Sequence, residues 1–360
     1  MKNSFNKMQK ILAAAVFRAI YFIAAAIFFI SLLFISDSFA ANEKSAGNLL
    51  EKARSRNTSR KPYSAKNLSS EEIELADKIS KEFDKLASGE FQGRDIFFAV
   101  CSARDSKLIF ASDEKFYKDK AISPGSLIKI ISAGLLLEEP EFSPARLEFC
   151  GDKTDIGGIR FTCSYKGGHG NVDLETAVSR SCNLYFQKSM RAVARKKFAG
   201  TLKDLGIIND KDAANILAAP DYLYYQAVIG DALVYTTAEK LLKLMRAIAV
   251  NFSTREPFYG ARPFSYENCQ KINGYLRKTV ESGTAAAKLS GFDCAGKTGS
   301  PVLTVEIGNN KRVVTTSAVF LGYTPYIEPE YCFFAYCARG MGGAEAADIA
   351  GHFIDFINSR

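Results

Sequence analysis

Ser123-Pro124-Gly125-Ser126-Leu127-Ile128-Lys129-Ile130-Ile131-Ser132-Ala133-Gly134-Leu135-Leu136-Leu137 is the most informative stretch of this 360-residue chain. From Pro124 it reads as a helix that is apolar nearly all round, and a helix without a polar face is buried. Two polar side chains stand out near its start, Ser126 and Lys129. Three residues apart on a helix, they share one face with Cβ atoms about 5–6 Å apart. Ser126 follows Pro124-Gly125 and so lies near a helix N-terminus, where free N–H groups favour developing negative charge. Burial makes a charged lysine costly, which lowers its pKa and suits it to be the base that a weak alcohol nucleophile needs. Alone, the pattern is better read as a helix cap beside a snorkelling lysine. Ser-x-x-Lys also occurs at Ser4–Lys7 and Ser112–Lys115.

Upstream of this helix, Ser70-Glu71-Glu72 opens a helical pattern carried by Ile73, Leu75, Ile79, Phe83 and Leu86. Ile96–Cys101 and Leu108–Phe110 read as strands joined by a polar turn. Downstream, helical zones run from Asp173 past Phe186 to Leu202 and from Thr236 to Ala249. Val302–Ile307, Val313–Leu321 and Tyr331–Ala338 read as strands, and Ala344–Asn358 as a closing helix. Early strands, central helices and late hairpin-linked strands predict an α+β fold. Its core is an antiparallel sheet of about five strands flanked by helices.

Two further short patterns carry chemistry. Ser181-Cys182-Asn183 falls between two helical segments, at a bend that can push a hydroxyl and an amide into a cavity. It is equally a capping serine with a turn asparagine. Lys297-Thr298-Gly299 occurs once and leads through Ser300 and Pro301 into a strand. Pro301 cannot donate to a ladder, so an edge or bulge open to a ligand is expected there. A cation beside a hydroxyl suits a carboxylate. Ser126 precedes Ser181 by 55 residues, and Asn183 precedes Lys297 by 114. This order, with each pattern in a fitting context, is far more specific than any pattern alone.

Lys2, Lys7, Lys10 and Arg18 precede an apolar run from Ala19 to Ile35, followed by Ser38-Phe39-Ala40. Residues 1–40 therefore read as a secretory signal cleaved after Ala40, or as a retained anchor, and the body is exported in either case. Membrane contact is expected only through these residues, if they are kept. Residues 41–70 read as a solvated linker, and residues 71–360 as one domain. The net charge of +8 falls to +5 without the leader, too weak an excess to argue for nucleic acid. Eight cysteines in an exported chain favour disulfides, and Cys150 with Cys163 is the best candidate pair. Two histidines and the lack of Cys-x-x-Cys spacing argue against a metal, and no cofactor is expected.

Together these stretches resemble the penicillin-binding protein transpeptidase domain, over roughly residues 94–358. Residues 123–129 are similar to the family's nucleophile box. His169-Gly170, Asp173-Leu174 and Ser181-Cys182-Asn183-Leu184-Tyr185-Phe186 are similar to its second block. Glu281-Ser282-Gly283-Thr284-Ala285, Ala295-Gly296-Lys297-Thr298-Gly299-Ser300 and Phe320-Leu321-Gly322-Tyr323-Thr324-Pro325 are similar to its third motif and flanks. The resemblance implies acyl transfer on D-Ala-D-Ala stem peptides of peptidoglycan, inhibited by β-lactams, with cell-wall synthesis proteins as possible partners. Ser126 would be the nucleophile, Lys129 its base and Ser181 a proton relay. Asn183 would hold the substrate amide, and Lys297 and Thr298 the terminal carboxylate. Gly299 would let the substrate approach, and the N–H groups of Ser126 and Ser300 would form an oxyanion hole.

The chain departs from the family in two ways: it has little room for a further domain before residue 94, and Gly230-Asp231-Ala232 stands where Gly-Gln-Gly is common. Transpeptidase and carboxypeptidase remain open. A β-lactamase or sensor is disfavoured, since residues 205–225 lack a glutamate and Asn183 stands where class D relatives are apolar. A non-catalytic envelope scaffold is the remaining alternative.

Overall fold

The computed structural model describes residues 62–63, 67–251, 262–307 and 311–359. The expected leader and most of the expected linker lie outside them. Helix α1 (Ser70–Ser88) is capped by Ser69, whose Oγ accepts from Glu72 N while the Glu72 carboxylate accepts from Ser69 N. This reciprocal cap satisfies two N–H groups that a helix start otherwise leaves bare. Strands β1 (Ile96–Ser102) and β2 (Leu108–Ala111) follow, then α2 (Glu114–Asp119) and the buried helix α3 (Lys129–Leu137). Four short strands come next: β3 (Glu148–Cys150), β4 (Lys153–Ile156), β5 (Ile159–Thr162) and β6 (Gly170–Val172). Helices α4 (Leu174–Ser179), α5 (Asn183–Ser189), α6 (Arg195–Asp204), α7 (Asp210–Ala218), α8 (Asp221–Ala227), α9 (Ala238–Ala249), α10 (Tyr266–Glu281) and α11 (Ala286–Leu289) form the central block. Strands β7 (Ala295–Gly299), β8 (Val302–Ile307), β9 (Lys311–Thr316), β10 (Ala318–Thr324) and β11 (Tyr331–Cys337) precede the last helix, α12 (Ala347–Asn358).

The main sheet has five antiparallel strands, the number and sense that the sequence predicts, in the order β2-β1-β11-β10-β7; the expected strand Val302–Ile307 lies outside it, and β7 takes the edge position. Successive residues of a strand face opposite sides, and here both sides are covered. Phe97, Ala99, Leu321 and Phe334 join the large helical core on one side. Ile96, Phe98, Val100, Phe320 and Phe333 pack on the other, with Phe83 of α1 and Phe353 and Ile354 of α12. Burial on both faces explains why these strands read as unbroken apolar runs rather than alternating ones.

One expected strand divides. Val313–Leu321 reads as continuous, yet β9 ends at Thr316 and β10 begins at Ala318. β9 pairs with β8 in a separate hairpin, whereas β10 pairs with β11 and β7. Ser317, whose N–H donates to Pro301 O at 3.0 Å, marks the change of partner. Apolar continuity along a chain says nothing about which neighbour each half takes.

Phe333 is fully buried beside Phe98, Phe320 and Phe353, with ring centroids 5.4–6.4 Å away. Phe333→Ala is expected to cost about 3–5 kcal/mol in urea denaturation. Ile73→Ala, at a residue that is 51% exposed on α1, should change stability by less than about 0.5 kcal/mol.

Candidate active site

The chain enters α3 through a tight 3₁₀ turn, Gly125–Ile128, and Gly125 adopts φ +52° there. Ser126 therefore sits on this turn rather than inside the α-helix expected from the sequence. Residues three apart eclipse one another in a 3₁₀ turn, so Ser126 and Lys129 stay on one side. Ser126 is half-buried and Lys129 completely buried.

The bend predicted at Ser181-Cys182-Asn183 is present between α4 and α5. Asp173 fixes α4 by accepting from Thr176 N at 2.8 Å. Ser181 holds a left-handed conformation, φ +58°, which a side chain adopts at a cost of about 1–2 kcal/mol. Lys129 Nζ is the partner that accounts for this geometry. It donates to Ser181 O at 2.7 Å, Ser181 Oγ at 3.1 Å and Asn183 Oδ1 at 2.5 Å. Burial lowers the Lys129 pKa to about 8, the carboxylate of Asp231 holding it up in part.

Lys297, Thr298 and Gly299 lie on β7, which among the described residues pairs only with β10 and so forms the edge expected from Pro301. Lys297 is fully buried, and Nζ donates to Thr298 O at 3.0 Å. Burial pushes its pKa well down, and Lys129 pushes in the same direction. Thr298 Oγ1 and Thr284 Oγ1 share a hydrogen bond of 2.5 Å, and Thr284 N donates to Ser179 O. Ser300 Oγ accepts from Gly342 N at 3.0 Å. Gly299 passes against the Ser126 turn. A Cβ placed on it would lie 2.7 Å from Val319 Cγ2, 3.2 Å from Pro124 O and 3.5 Å from Ser126 N. The edge strand and the serine turn thus lie in van der Waals contact. The result is a pair of buried amines, Lys129 disfavouring the charged form of Lys297, beside a hydroxyl and a buried strand that ends the sheet, a setting suited to an anionic, extended ligand.

The sequence reading missed three features. Thr284 bridges the helix end to Thr298, and Gly342 supports Ser300. Both contacts depend on long-range packing that spacing does not encode. The third concerns the cysteines. The expected Cys150–Cys163 disulfide is absent: both thiols are free and buried, and each Sγ lies 3.5 Å from Nδ1 of His169. The His169 ring reaches both sulfurs, and Cys182 Sγ joins them, all four ligand atoms being within 4.8 Å of one another. The expectation of no metal rested on paired spacing, whereas here three separate turns bring the donors together.

Comparison with known proteins places these residues in context. The family model for the penicillin binding protein transpeptidase domain matches residues 98–355. Stage V sporulation protein D of Bacillus subtilis is 23% identical over an alignment 273 residues long that covers 64% of this chain and 41% of that protein. The chain thus spans less than half the length of that relative. Among solved structures, penicillin-binding protein PBP2 of Helicobacter pylori in complex with MreC superposes with a TM-score of 0.65 at 18% identity, over 78% of this chain and 62% of that one. The D,D-transpeptidase domain of a peptidoglycan glycosyltransferase from Eggerthella lenta gives 0.64 at 16% identity, over 78% and 81%.

The tight contact at Gly299 predicts a measurable penalty. Gly299→Ala should destabilise the protein by about 1–3 kcal/mol through overpacking. Gly291→Ala, where an added Cβ meets nothing within 4 Å, should not. Urea denaturation of the two variants checks this.

Proposed function

Because the chain belongs to the penicillin binding protein transpeptidase domain family, we propose that it is a serine-type DD-transpeptidase or DD-carboxypeptidase acting on the D-Ala-D-Ala ends of peptidoglycan stem peptides. The observation that carries this reading is the buried Lys129 amine, held by Ser181 and Asn183 one turn after Ser126. In the proposed reaction Ser126 Oγ attacks the penultimate carbonyl, and neutral Lys129 takes its proton. The tetrahedral oxyanion is held by the N–H groups of Ser126 and Ser300, each such donor being worth about 3 kcal/mol. Ser181 passes a proton to the leaving D-alanine, whose departure leaves an ester on Ser126. An amine or water then takes the acyl group. Asn183 binds the substrate amide, and Lys297 with Thr298 binds the terminal carboxylate beside Gly299. A penicillin presents the same carbonyl and carboxylate and would acylate Ser126 stably.

In the same reading, residues 1–40 export the chain as a cleaved signal or an anchor, residues 41–70 are a linker, and residues 71–360 form the catalytic domain. It would work on the outer side of the cytoplasmic membrane. Partners among cell-wall synthesis proteins are proposed by analogy with the Helicobacter pylori complex.

Labelling with a fluorescent penicillin tests the nucleophile: the wild type should label, and Ser126→Ala should lose more than about 10⁴-fold in rate. Absence of label in both would leave a scaffold as the better reading. A defined pentapeptide with and without an amine acceptor then separates transfer from hydrolysis. The pH profile tests the base. Lys129 is charged below its pKa of about 8 and neutral above it. The Asp231 carboxylate offsets part of the burial effect on it, and Lys129 in turn holds Lys297 further down. The acylation rate should therefore rise with pH and level off above about 8, and Lys129→Ala should abolish the rise along with most of the rate.

A further inference from the structure

Residues 148–172 form a small lobe between α3 and α4 with strands of only three or four residues. Strands this short are marginal without support. Several of the lobe's large side chains also face solvent: Leu147 just before it, Phe149 and Tyr165 are each about 60% exposed. Besides its two cysteines, it contributes only Ile156, Phe161 and Val172 to the buried core among the described residues. Something besides apolar burial must fix it.

Four donors meet where the lobe touches the Ser181–Asn183 bend. Cys150 ends β3, and Cys163 follows β5, its N–H donating to Asp152 O at 2.7 Å. His169 is flanked by Gly168 and Gly170, both at positive φ, and its ring stacks on Tyr165 at 4.9 Å. A Cβ on Gly168 would lie 2.1 Å from Cys150 O, so only glycine lets this turn press His169 against the cysteines. Cys182 comes from the bend itself and is fully buried.

The distances match one kind of occupant. A tetrahedral zinc ion with bonds of about 2.3 Å to sulfur and 2.0–2.1 Å to nitrogen sets N···S edges of about 3.5 Å and S···S edges of about 3.8 Å. His169 Nδ1 lies 3.5 Å from Cys150 Sγ and 3.5 Å from Cys163 Sγ, and no pair among the four donor atoms exceeds 4.8 Å. A Cys150–Cys163 disulfide would use two of the four donors and leave His169 and Cys182 aimed at it without purpose. The other histidine-containing cluster, Glu90, Asp348 and His352, offers a contrast. Two of its three members are exposed, and Asp348 already pairs with Lys288 at 2.7 Å.

We propose that Cys150, Cys163, His169 and Cys182 form a closed, structural zinc site that clamps the lobe to the catalytic bend. Three thiolates and a neutral imidazole fill a tetrahedron and leave no position for substrate, so the role is structural. Binding releases the three thiol protons to solvent and leaves the site with one negative charge. The clamp acts on Cys182, whose two neighbours accept from Lys129. The proposal goes beyond the reading of the function above and does not depend on it.

The test uses the full chain purified from cells without metal-affinity resin. Elemental analysis should find a single zinc per chain, which a thiol-directed mercurial should release. Cobalt exchange should give a thiolate-to-cobalt charge-transfer band and the strong visible bands of a tetrahedral site. Cys150→Ser combined with Cys163→Ser should abolish metal binding, while Cys163→Asp, which keeps an anionic ligand, should retain the metal with a weaker charge-transfer band. Should those variants fold poorly, the wild-type readouts still decide. Metal removal should speed backbone hydrogen exchange across residues 148–186 by about tenfold or more, the expected result of local loosening. Wild-type protein that binds no zinc with its thiols reduced, or a Cys150–Cys163 cross-linked peptide from freshly isolated protein, would overturn the site. Unchanged exchange after metal removal would overturn the clamp.

Discussion

A single buried amine organises the centre of this molecule. Lys129 projects from the start of α3 into the fully buried interior, where an ammonium is stable only if its hydrogen bonds are met. Ser181 O, Ser181 Oγ and Asn183 Oδ1 meet them. The bend between α4 and α5 is thereby tied to α3, and a non-glycine residue is held at positive φ. Removing the amine would leave three acceptors facing a hole, so the lysine is structural and chemical at once. Structural need keeps it buried, and burial is what brings its proton affinity close to neutrality.

The second constraint is the sheet edge. Among the described residues β7 has a strand partner on one side only, and its Gly299 passes the Ser126 turn at van der Waals distance. Lys297 is buried on this strand close enough to Lys129 for repulsion from that amine to add to burial in disfavouring its charged form. A ligand that brings a carboxylate relieves that repulsion. A ligand with an extended backbone can also pair with the open edge, so charge and hydrogen bonding select the same kind of molecule.

The sequence revealed much of this because the relevant signals are local. The apolar run of α3, the proline after Lys297-Thr298-Gly299 and the breaks around Ser181 each report on their own surroundings. The five-stranded sheet was legible for the same reason, since residues buried on both faces leave unbroken apolar stretches. What stayed hidden depends on distant chain segments meeting. The division at Ser317 reflects a change of pairing partner, which hydrophobicity does not record. The Thr284–Thr298 contact and the meeting of Cys150, Cys163, His169 and Cys182 require turns whose glycines set direction. Spacing along the chain hid the four donors, because a hairpin and a glycine turn fold separations of 13, 6 and 13 residues into one point.

The lobe leaves and rejoins the body through one short ladder, with Glu148 opposite Val172 and Cys150 opposite Gly170. Its entry and exit are therefore neighbours, about 5 Å apart as cross-strand partners are. An appendage rooted this way is interchangeable in principle: it can lengthen, shrink or be swapped for another hairpin while the five-stranded sheet keeps its register. Variation among related chains would then gather in this excursion, leaving the strand edge and the serine turn as they are.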